Sequence, residues 1–531
     1  MRSTAAMAVG TTLSRATGFL RVAAMAFALG VAETRLADAY NVANNIPNIV
    51  YELILGGILT SIFVPVFVHR LAERGSDEAW RSAQAVMTVA VVVLAAVMVI
   101  GILAAPWIVR LYTLRVPPEA RPAVQELATL FLRFFMPQIV LYGLGAVATG
   151  LLNAHRRFAV PMFAPVLNNL VAVGAFLMFA ALPVPNPGAP SPDNITFLQK
   201  MVLGAGTTAG VAVMSVALWP SLRRLGFRWR WRLSWRDPAV RSLIRLSGWA
   251  VFYVVMNQLG LLVVIVLAGG VEGGYTAYQA ASIFFQLPHA IFAVSIMTAL
   301  LPTLSQSWAR GDRRAFRTSL AQGIRGSAFV VVPAAAGYLV LAQPIVRLLL
   351  EHGVAGSAST RLVSGVLVFF AIGLFSFSAF LLFLRAFYAM QDTRTPALIN
   401  LFAVGLNTVL NLLLFPVLEV RGLALAHAVA YTFAAATAAL ILRRRTQGLE
   451  GRTVFRGLVK VLVASAAVAG AAWGASRVVA TMLGTVSLAA QATLVGVSVG
   501  AGVVVFVAAA SILRMEEFDL VKRTLFRKAT R

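Results

Sequence analysis

The sequence predicts an all-α polytopic membrane protein of about fourteen transmembrane helices, with two pseudo-symmetric six-helix lobes around a central cavity and two additional helices at the carboxyl end. Three observations carry that expectation. Of 531 residues, 60% are hydrophobic and only 12% charged, and the mean hydropathy is +0.84; such a chain cannot pack into one soluble core under a polar surface. Apolar windows of about 19 residues recur along the whole length. Basic residues collect in every second connection between them, which is the signature of loops retained on the cytoplasmic side.

The spans fall at roughly 4–30, 36–68, 82–109, 122–151, 158–182, 198–221, 240–269, 275–304, 318–345, 361–389, 394–416, 421–442, 454–480 and 486–513. The first is read as a helix and not as a cleavable signal, because it is long, interrupted by arginines and continues directly into the second span. With the amino terminus inside, the cytoplasmic connections receive Arg70, Arg74 and Arg81, then Arg156 and Arg157, then the run from Arg223 to Arg245. Later inside connections hold Arg310, Arg313, Arg314 and Arg317, then Arg385 and Arg394, then Arg443 to Lys460, and the tail from Arg514 to Arg531. Both termini are therefore expected in the cytoplasm. The segment 183–197, rich in proline, asparagine and serine, is the longest outside linker.

An internal repeat divides the chain. Ala39-Tyr40, Pro47 and Pro65 have counterparts in Ala277-Tyr278, Pro288 and Pro302, and Asn153-Ala154 with Pro161 parallels Tyr388-Ala389 with Pro396; the offsets are about 235 to 241 residues. A duplicated six-span unit gives this spacing, with the halves related by an axis along the membrane normal. The expected domains are an amino-terminal lobe at 1–222, a basic linker at 223–239, a second lobe at 240–445, two added helices at 446–515 and a basic tail at 516–531. In the linker, Phe227-Arg228-Trp229-Arg230-Trp231-Arg232 alternates rings with guanidinium groups, which suits rings at the interface and charges on anionic membrane lipids. Recruitment of a soluble partner is the alternative reading of that segment.

Candidate functional residues begin in the first span. Arg15 and Arg21 sit among apolar residues, where an arginine costs about 3 to 15 kcal/mol unless it faces a wet cavity or a fixed anion. That points to an anionic substrate. Six residues place them about 600° of helical turn apart, off one face of an ideal helix, so joint contact requires a kink near Gly18 or a wide cavity. The second span is unusually polar: Asp38, Asn41, Asn44, Asn45, Asn48 and Glu52 precede Gly56-Gly57, and the asparagines recur at three and four residues on one face. Prolines at 47, 65, 288 and 302 interrupt long apolar segments, which makes spans two and eight candidate gates. A polar seam glued to a neighbouring helix is the competing reading of the asparagines, as pairing with Asp38 or Glu52 is of the arginines.

Several chemistries find no support. The chain has no cysteine, and its five histidines show no paired ligand spacing, so no metal site is expected. It lacks a phosphate-binding glycine loop with its lysine and any nucleophile-base constellation; no catalytic residue and no resident cofactor are expected. The net charge of +26 has a topological origin, and no aromatic-interleaved soluble domain suggests nucleic acid. Energy must come from gradients or product removal: membrane potential acting on an arginine-lined cavity is one source, and a sodium ion another, for which Asn257, Asn407 and Asn411 are candidate ligands, with helix-helix hydrogen bonding as the alternative.

Longer motifs carry a resemblance. Ser14-Arg15-x-x-Gly18-Phe19-x-Arg21, Gly30, Ala37-Asp38-Ala39-Tyr40, Ile46-Pro47-Asn48, Gly56 and Phe63-Val64-Pro65 resemble the opening of the MurJ/MviN family of lipid II flippases. The likeness continues in Asn153-Ala154-x-x-Arg157-Phe158-x-x-Pro161-x-Phe163-Ala164-Pro165, in Leu301-Pro302-x-Leu304-Ser305 and in Phe387-Tyr388-Ala389-x-Gln391-Asp392-x-x-Thr395-Pro396. It implies the multidrug/oligosaccharidyl-lipid/polysaccharide exporter fold and a transporter that is not an enzyme. It also implies alternating-access movement of lipid II, the undecaprenyl-diphosphate-linked peptidoglycan precursor, from the inner to the outer leaflet for cell-wall synthesis. Cell-wall synthesis proteins are candidate partners.

In that reading Arg15 and Arg21 hold the diphosphate through bidentate geometry, while Ser14, Gly18, Asp38, Asn41, Asn45, Pro47, Asn48, Glu52 and Pro288 belong to the cavity or gate. The chain also departs from the family. After Pro47-Asn48 it reads Ile49-Val50-Tyr51-Glu52, and in span eight Ala281-Ser282-Ile283-Phe284, where relatives place further arginines; Arg133, Arg325 and Arg385 are candidate compensating bases. The added helices, with Gly470-x-x-x-Gly474 and Gly496-x-x-x-Gly500, pack closely or, by resemblance, form a lipid-tail groove. Alternative functions are a flippase for another polyprenyl-linked glycan, a cation-coupled drug exporter of the same fold, and a membrane scaffold for cell-wall enzymes.

Overall fold

A computed structural model describes residues 2–52, 64–183 and 189–519. Gly56, Gly57, Phe63 and the tail bases Lys522, Arg523, Arg527, Lys528 and Arg531 lie outside the described residues. Within them the chain is helical throughout, without a strand. The helices are α1 (Arg2–Leu29), α2 (Leu36–Glu52), α3 (Val64–Tyr112), α4 (Arg121–Phe135), α5 (Gln138–Ala154), α6 (Ala159–Ala181), α7 (Phe197–Val216), α8 (Trp219–Arg224) and α9 (Pro238–Ala268). There follow α10 (Gly274–Pro288), a π-helical turn His289–Ala293, α11 (Val294–Ala309), α12 (Arg313–Leu350), α13 (Ser357–Ile372), α14 (Leu374–Ala389), α15 (Arg394–Thr446), α16 (Gly451–Leu483) and α17 (Leu488–Ile512).

Local chemistry accounts for many boundaries. Thr196 and Gln199 form a reciprocal capping box at α7. Asp312 caps α12 through Ala315 N, and Ser487 caps α17 through Ala490 N. Gly484, at φ +71°, ends α16 in a conformation only glycine adopts freely.

Nine described helices are long and apolar enough to cross a membrane, and the pair α13 and α14, bent by 51° at Gly373, makes a tenth. Gly373 lets α15 approach closely at that bend, since a Cβ there would stand 2.6 Å from Ala428 Cα. The two spans expected between 394 and 442 lie in α15 as two helical arms that meet at a kink, with Pro416 before it and a non-helical backbone at Glu419. The basic connection at 70–81 is not a loop: α3 runs through it as helix. Large apolar side chains stand outward on the spans, Ile100, Leu103 and Trp107 each more than 60% exposed on α3, as lipid contact requires.

The chain forms two compact units. The first comprises residues through Thr276 together with His352–Gly356; the second comprises Ala277–Glu351 and residues from Ser357 onward. In the first, α1 packs on α6, α6 on α7, α3 on α5 and α2 on α4. Its centre is Tyr40, ringed edge-on by Phe131, Phe135 and Phe176 at 5.4 to 5.9 Å. In the second, α12 lies against α13 and α16, α14 against α15, and α16 against α17. Phe285, Phe370, Phe377 and Tyr431 surround the half-buried His427 there, with centroids 4.5 to 5.9 Å from its ring. The packing boundary falls after Thr276, because α9 and the head of α10 are tied to α2.

Candidate functional site

Those ties are polar and buried. Arg35, one turn before Asp38, donates through Nη1 to the Gly269 carbonyl at 2.9 Å. Asp38 Oδ1 accepts from the Thr276 backbone N–H at 2.9 Å and from its hydroxyl at 2.7 Å. Asn41 Nδ2 donates to the same hydroxyl at 3.0 Å. Arg35 just precedes α2, and Asp38 and Asn41 are one turn apart on it, so the head of one helix presents a cation, an anion and an amide to the α9–α10 connection. Gly273, at φ +69°, allows close approach; a Cβ there would collide with the Val31 carbonyl. Asp38 Oδ2 is buried without a hydrogen-bond partner among the described residues, next to a void of about 10 Å³ lined by Arg35, Tyr112 and Thr113.

One to two turns further along α2 lies a second group. Asn48 donates through Nδ2 to the Asn44 carbonyl at 2.8 Å, and its Oδ1 accepts from the Tyr142 hydroxyl at 3.1 Å. The Tyr142 ring packs 4.4 Å from that of Tyr51. Arg21, from α1, acts electrostatically on the Tyr142 phenol. Two phenols and an amide thus meet within the first unit, in the electrostatic field of Arg21. Pro47 is buried inside α2; having no N–H, it leaves the Ala43 carbonyl without its helical donor one turn back.

Arg15 stands apart, with an exposed side chain. Neither Arg15 nor Arg21 lies within 4 Å of a carboxylate among the described residues, so the pairing with Asp38 or Glu52 that the sequence allowed is not formed. Asp38 faces Arg35, and Glu52 accepts from Gln258 at 3.4 Å. Helix α1 continues through Gly18 without a break. Its polar neighbour is Asn169 of α6, which donates to the Ser14 carbonyl at 3.2 Å and the Thr17 hydroxyl at 3.1 Å. Asn45, partly buried on α2, leaves its Nδ2 without a protein acceptor.

The candidate cation ligands divide: Asn257 belongs to the first unit, Asn407 and Asn411 to the second. Asn411 Nδ2 donates to Asn407 Oδ1 at 2.9 Å, which leaves Asn411 Oδ1 buried and unpartnered. Pro288 ends α10 immediately before the π turn, where His289 Nδ1 meets Ser378 Oγ at 2.9 Å. Of the compensating bases, Arg325 is spent on Glu516 at 2.7 Å and Glu517 at 3.3 Å; Arg133 and Arg385 are exposed. Asp392 begins α15 by accepting from Thr395 N at 2.9 Å and pairs with Arg445. Burial alone would raise the Asp392 carboxyl, but bonds from Thr395 and Arg445 outweigh it and hold it below its ordinary range.

Reading from sequence missed Arg35, Thr276, Tyr142 and Asn169. Only Arg35 carried a local signal, a cation three residues before Asp38 at the head of a helix. The others are single polar residues in apolar helices, meaningful only through partners more than 90 residues away.

The profile of the family described as lipid II flippase MurJ matches residues 25–494. A relative from Rhizobium tropici, named a probable lipid II flippase MurJ, is 30% identical over 522 residues, covering 98% of this chain and 95% of its own. Among solved structures, a lipid II flippase MurJ in an inward closed conformation superposes with a TM-score of 0.75 at 20% identity, over 95% of this chain and 98% of that one. An inward-facing multidrug-resistance transporter of the MATE family gives 0.65 at 14% identity, over 83% and 96%.

Proposed function

This chain belongs to the lipid II flippase MurJ family, and from that membership we propose that it moves lipid II from the inner to the outer leaflet of the bacterial cytoplasmic membrane by alternating access. The observation that carries the proposal is the family match over nearly the whole chain. The site chemistry agrees with it. A diphosphate needs forked donors in a site of reduced dielectric. Arg15 and Arg21 are two guanidinium groups on one helix with no carboxylate to neutralise them among the described residues, and the Tyr142 hydroxyl, which donates to Asn48, lies in the field of Arg21.

In this reading α1 and α2 divide the work. Arg15 and Arg21 hold the headgroup phosphates, and Arg35, Asp38 and Asn41 bind the α9–α10 connection and release it when the pathway opens at that end. The chain is a transporter with no catalytic step of its own. Each elementary charge moved across the membrane is worth about 2.3 kcal/mol per 100 mV, enough to bias an arginine-bearing carrier. Both termini lie in the cytoplasm, and the chain divides into lobes at 1–222 and 240–445 with a lipid-tail groove in 446–515.

The test is complementation of cells depleted of their own lipid II flippase, with outer-leaflet lipid II measured at matched expression. Wild type restores it. Arg15→Ala and Arg21→Ala each lower it by about 10- to 100-fold, the loss expected when a charge-assisted hydrogen bond worth about 1.5 to 3 kcal/mol is removed. Full rescue by both variants would remove the diphosphate assignment. Insertion of wild type without outer-leaflet lipid II, but with transfer of another polyprenyl-diphosphate glycan, would change the cargo.

A further inference from the structure

The basic aromatic segment after α8 is not an extended solvated run. Its backbone is clamped to α3: Gln84 Nε2 donates to the Arg228 carbonyl at 2.8 Å, and Thr88 Oγ1 accepts from Trp229 Nε1 at 3.3 Å and from Arg232 N at 3.1 Å. Gly226, at φ +88°, turns the chain back on α8, so that Phe227 N donates to the Leu222 carbonyl. Phe227 is fully buried between Trp80 and Trp219, with centroids 5.4 and 6.3 Å away. Trp219 and Trp229 stack at 6.0 Å. These contacts hold open a cavity of about 1030 Å³ lined by Val216, Trp219, Arg223, Phe227, Arg228 and Trp229.

The lining brings three chemistries together. Val216, 59% exposed, is the last residue of the membrane-spanning α7. Trp219, three residues on, stacks with Trp229, which the turn at Gly226 brings back to it; such amphipathic rings settle at a bilayer interface. Arg223 and Arg228 line the same cavity, and neither has a carboxylate within 4 Å among the described residues.

We propose that this cavity is a binding site for one anionic glycerophospholipid, whose phosphate is held by Arg223 and Arg228, whose glycerol lies against Trp219 and Trp229, and whose acyl chain leaves past Val216. Guanidinium groups grip a phosphodiester through paired N–H donors. Free phosphate would use the arginine end alone and leave the aromatic wall wet. The volume is at the upper end for a small-molecule site and suits a headgroup with its first methylenes. The assignment needs only that α7 crosses a membrane and does not depend on the cargo.

Native mass spectrometry of the full chain in detergent tests it, with phosphatidylglycerol, phosphatidylcholine and inorganic phosphate as probes. Arg223→Gln with Arg228→Gln is compared with Arg232→Gln and Arg236→Gln, which remove the same charge from the same segment outside the cavity. Wild type and the control pair retain phosphatidylglycerol, and the cavity pair loses it by about tenfold or more. Equal loss in both pairs would mean diffuse charge and overturn the proposal. So would equal retention of phosphatidylcholine, which would mean an apolar groove only, or displacement by inorganic phosphate, which would mean a free-anion site. Thermal unfolding is measured on each pair. If the cavity pair is unfolded, Arg223→Lys with Arg228→Lys replaces it, keeping charge but losing the fork, with a loss of about threefold expected and none counting against the site.

Discussion

Thr276 shows how much one uncharged side chain can carry in an apolar helix. Its hydroxyl donates to Asp38 and accepts from Asn41, and its backbone N–H donates to Asp38 as well. All three residues are buried. Thr276→Val keeps the shape, removes a hydrogen bond to a carboxylate and leaves the Asn41 amide without its acceptor. The expected cost is about 2 to 3 kcal/mol, seen as a lower thermal midpoint in detergent, while Thr276→Ser keeps the wild-type value. An unchanged midpoint for Thr276→Val would show that these bonds contribute nothing net to the folded chain. The polar character of α2 was legible in its sequence, down to the shared face of Asn41, Asn44 and Asn48. Which of those residues are tied and which are free was not, because the partner lies 238 residues away and hydrogen-bonded pairs leave no period in the chain.

Helices α3, α13 with α14, and α15 show the same limit at the level of elements. Hydropathy places apolar cores well, yet it cannot tell a loop from a helix that continues into water. The polar stretch at 70–81 therefore read as a connection, although α3 is helical through it. In α15 the turn between two spans is compressed into Glu419, at φ 51° and ψ −133°, three residues after Pro416. Gly422 lets the arms close, since its Cβ would stand 2.7 Å from the Leu414 carbonyl. A non-glycine residue in such a region stores about 1 to 3 kcal/mol. Glu419→Gly relieves that strain and gives back about 0.5 to 1 kcal/mol through the freer unfolded chain. The net expectation is a gain of about 0.5 to 2 kcal/mol, read as a raised thermal midpoint. Glu419→Ala keeps the strain and should bring no gain; a gain as large as that of glycine would locate the effect in the lost carboxylate instead.

The distribution of charge over the whole molecule makes one claim that the helices alone do not: which ends of the spans face the cytoplasm. Arginine is dense at 223–245 and 443–456 and sparse at 183–197 and 478–490, and translocating short loops that carry several bases is unfavourable. The chain has no cysteine, so every introduced thiol reports its own position without background. Leu233 and Gln447 are exposed in the two basic connections, and Asp193 and Val486 in the two sparse ones. With both termini inside, Asp193→Cys and Val486→Cys react with a membrane-impermeant maleimide in intact cells, and Leu233→Cys and Gln447→Cys react only after permeabilisation. The reverse pattern would invert the molecule, place Arg35, Asp38 and Asn41 at the cytoplasmic end and reassign them from the outer to the inner gate. A mixed pattern, with the two halves of the chain disagreeing, would break the even count of spans between the repeated motifs, and with it the duplicated six-span unit on which the two-lobe reading rests.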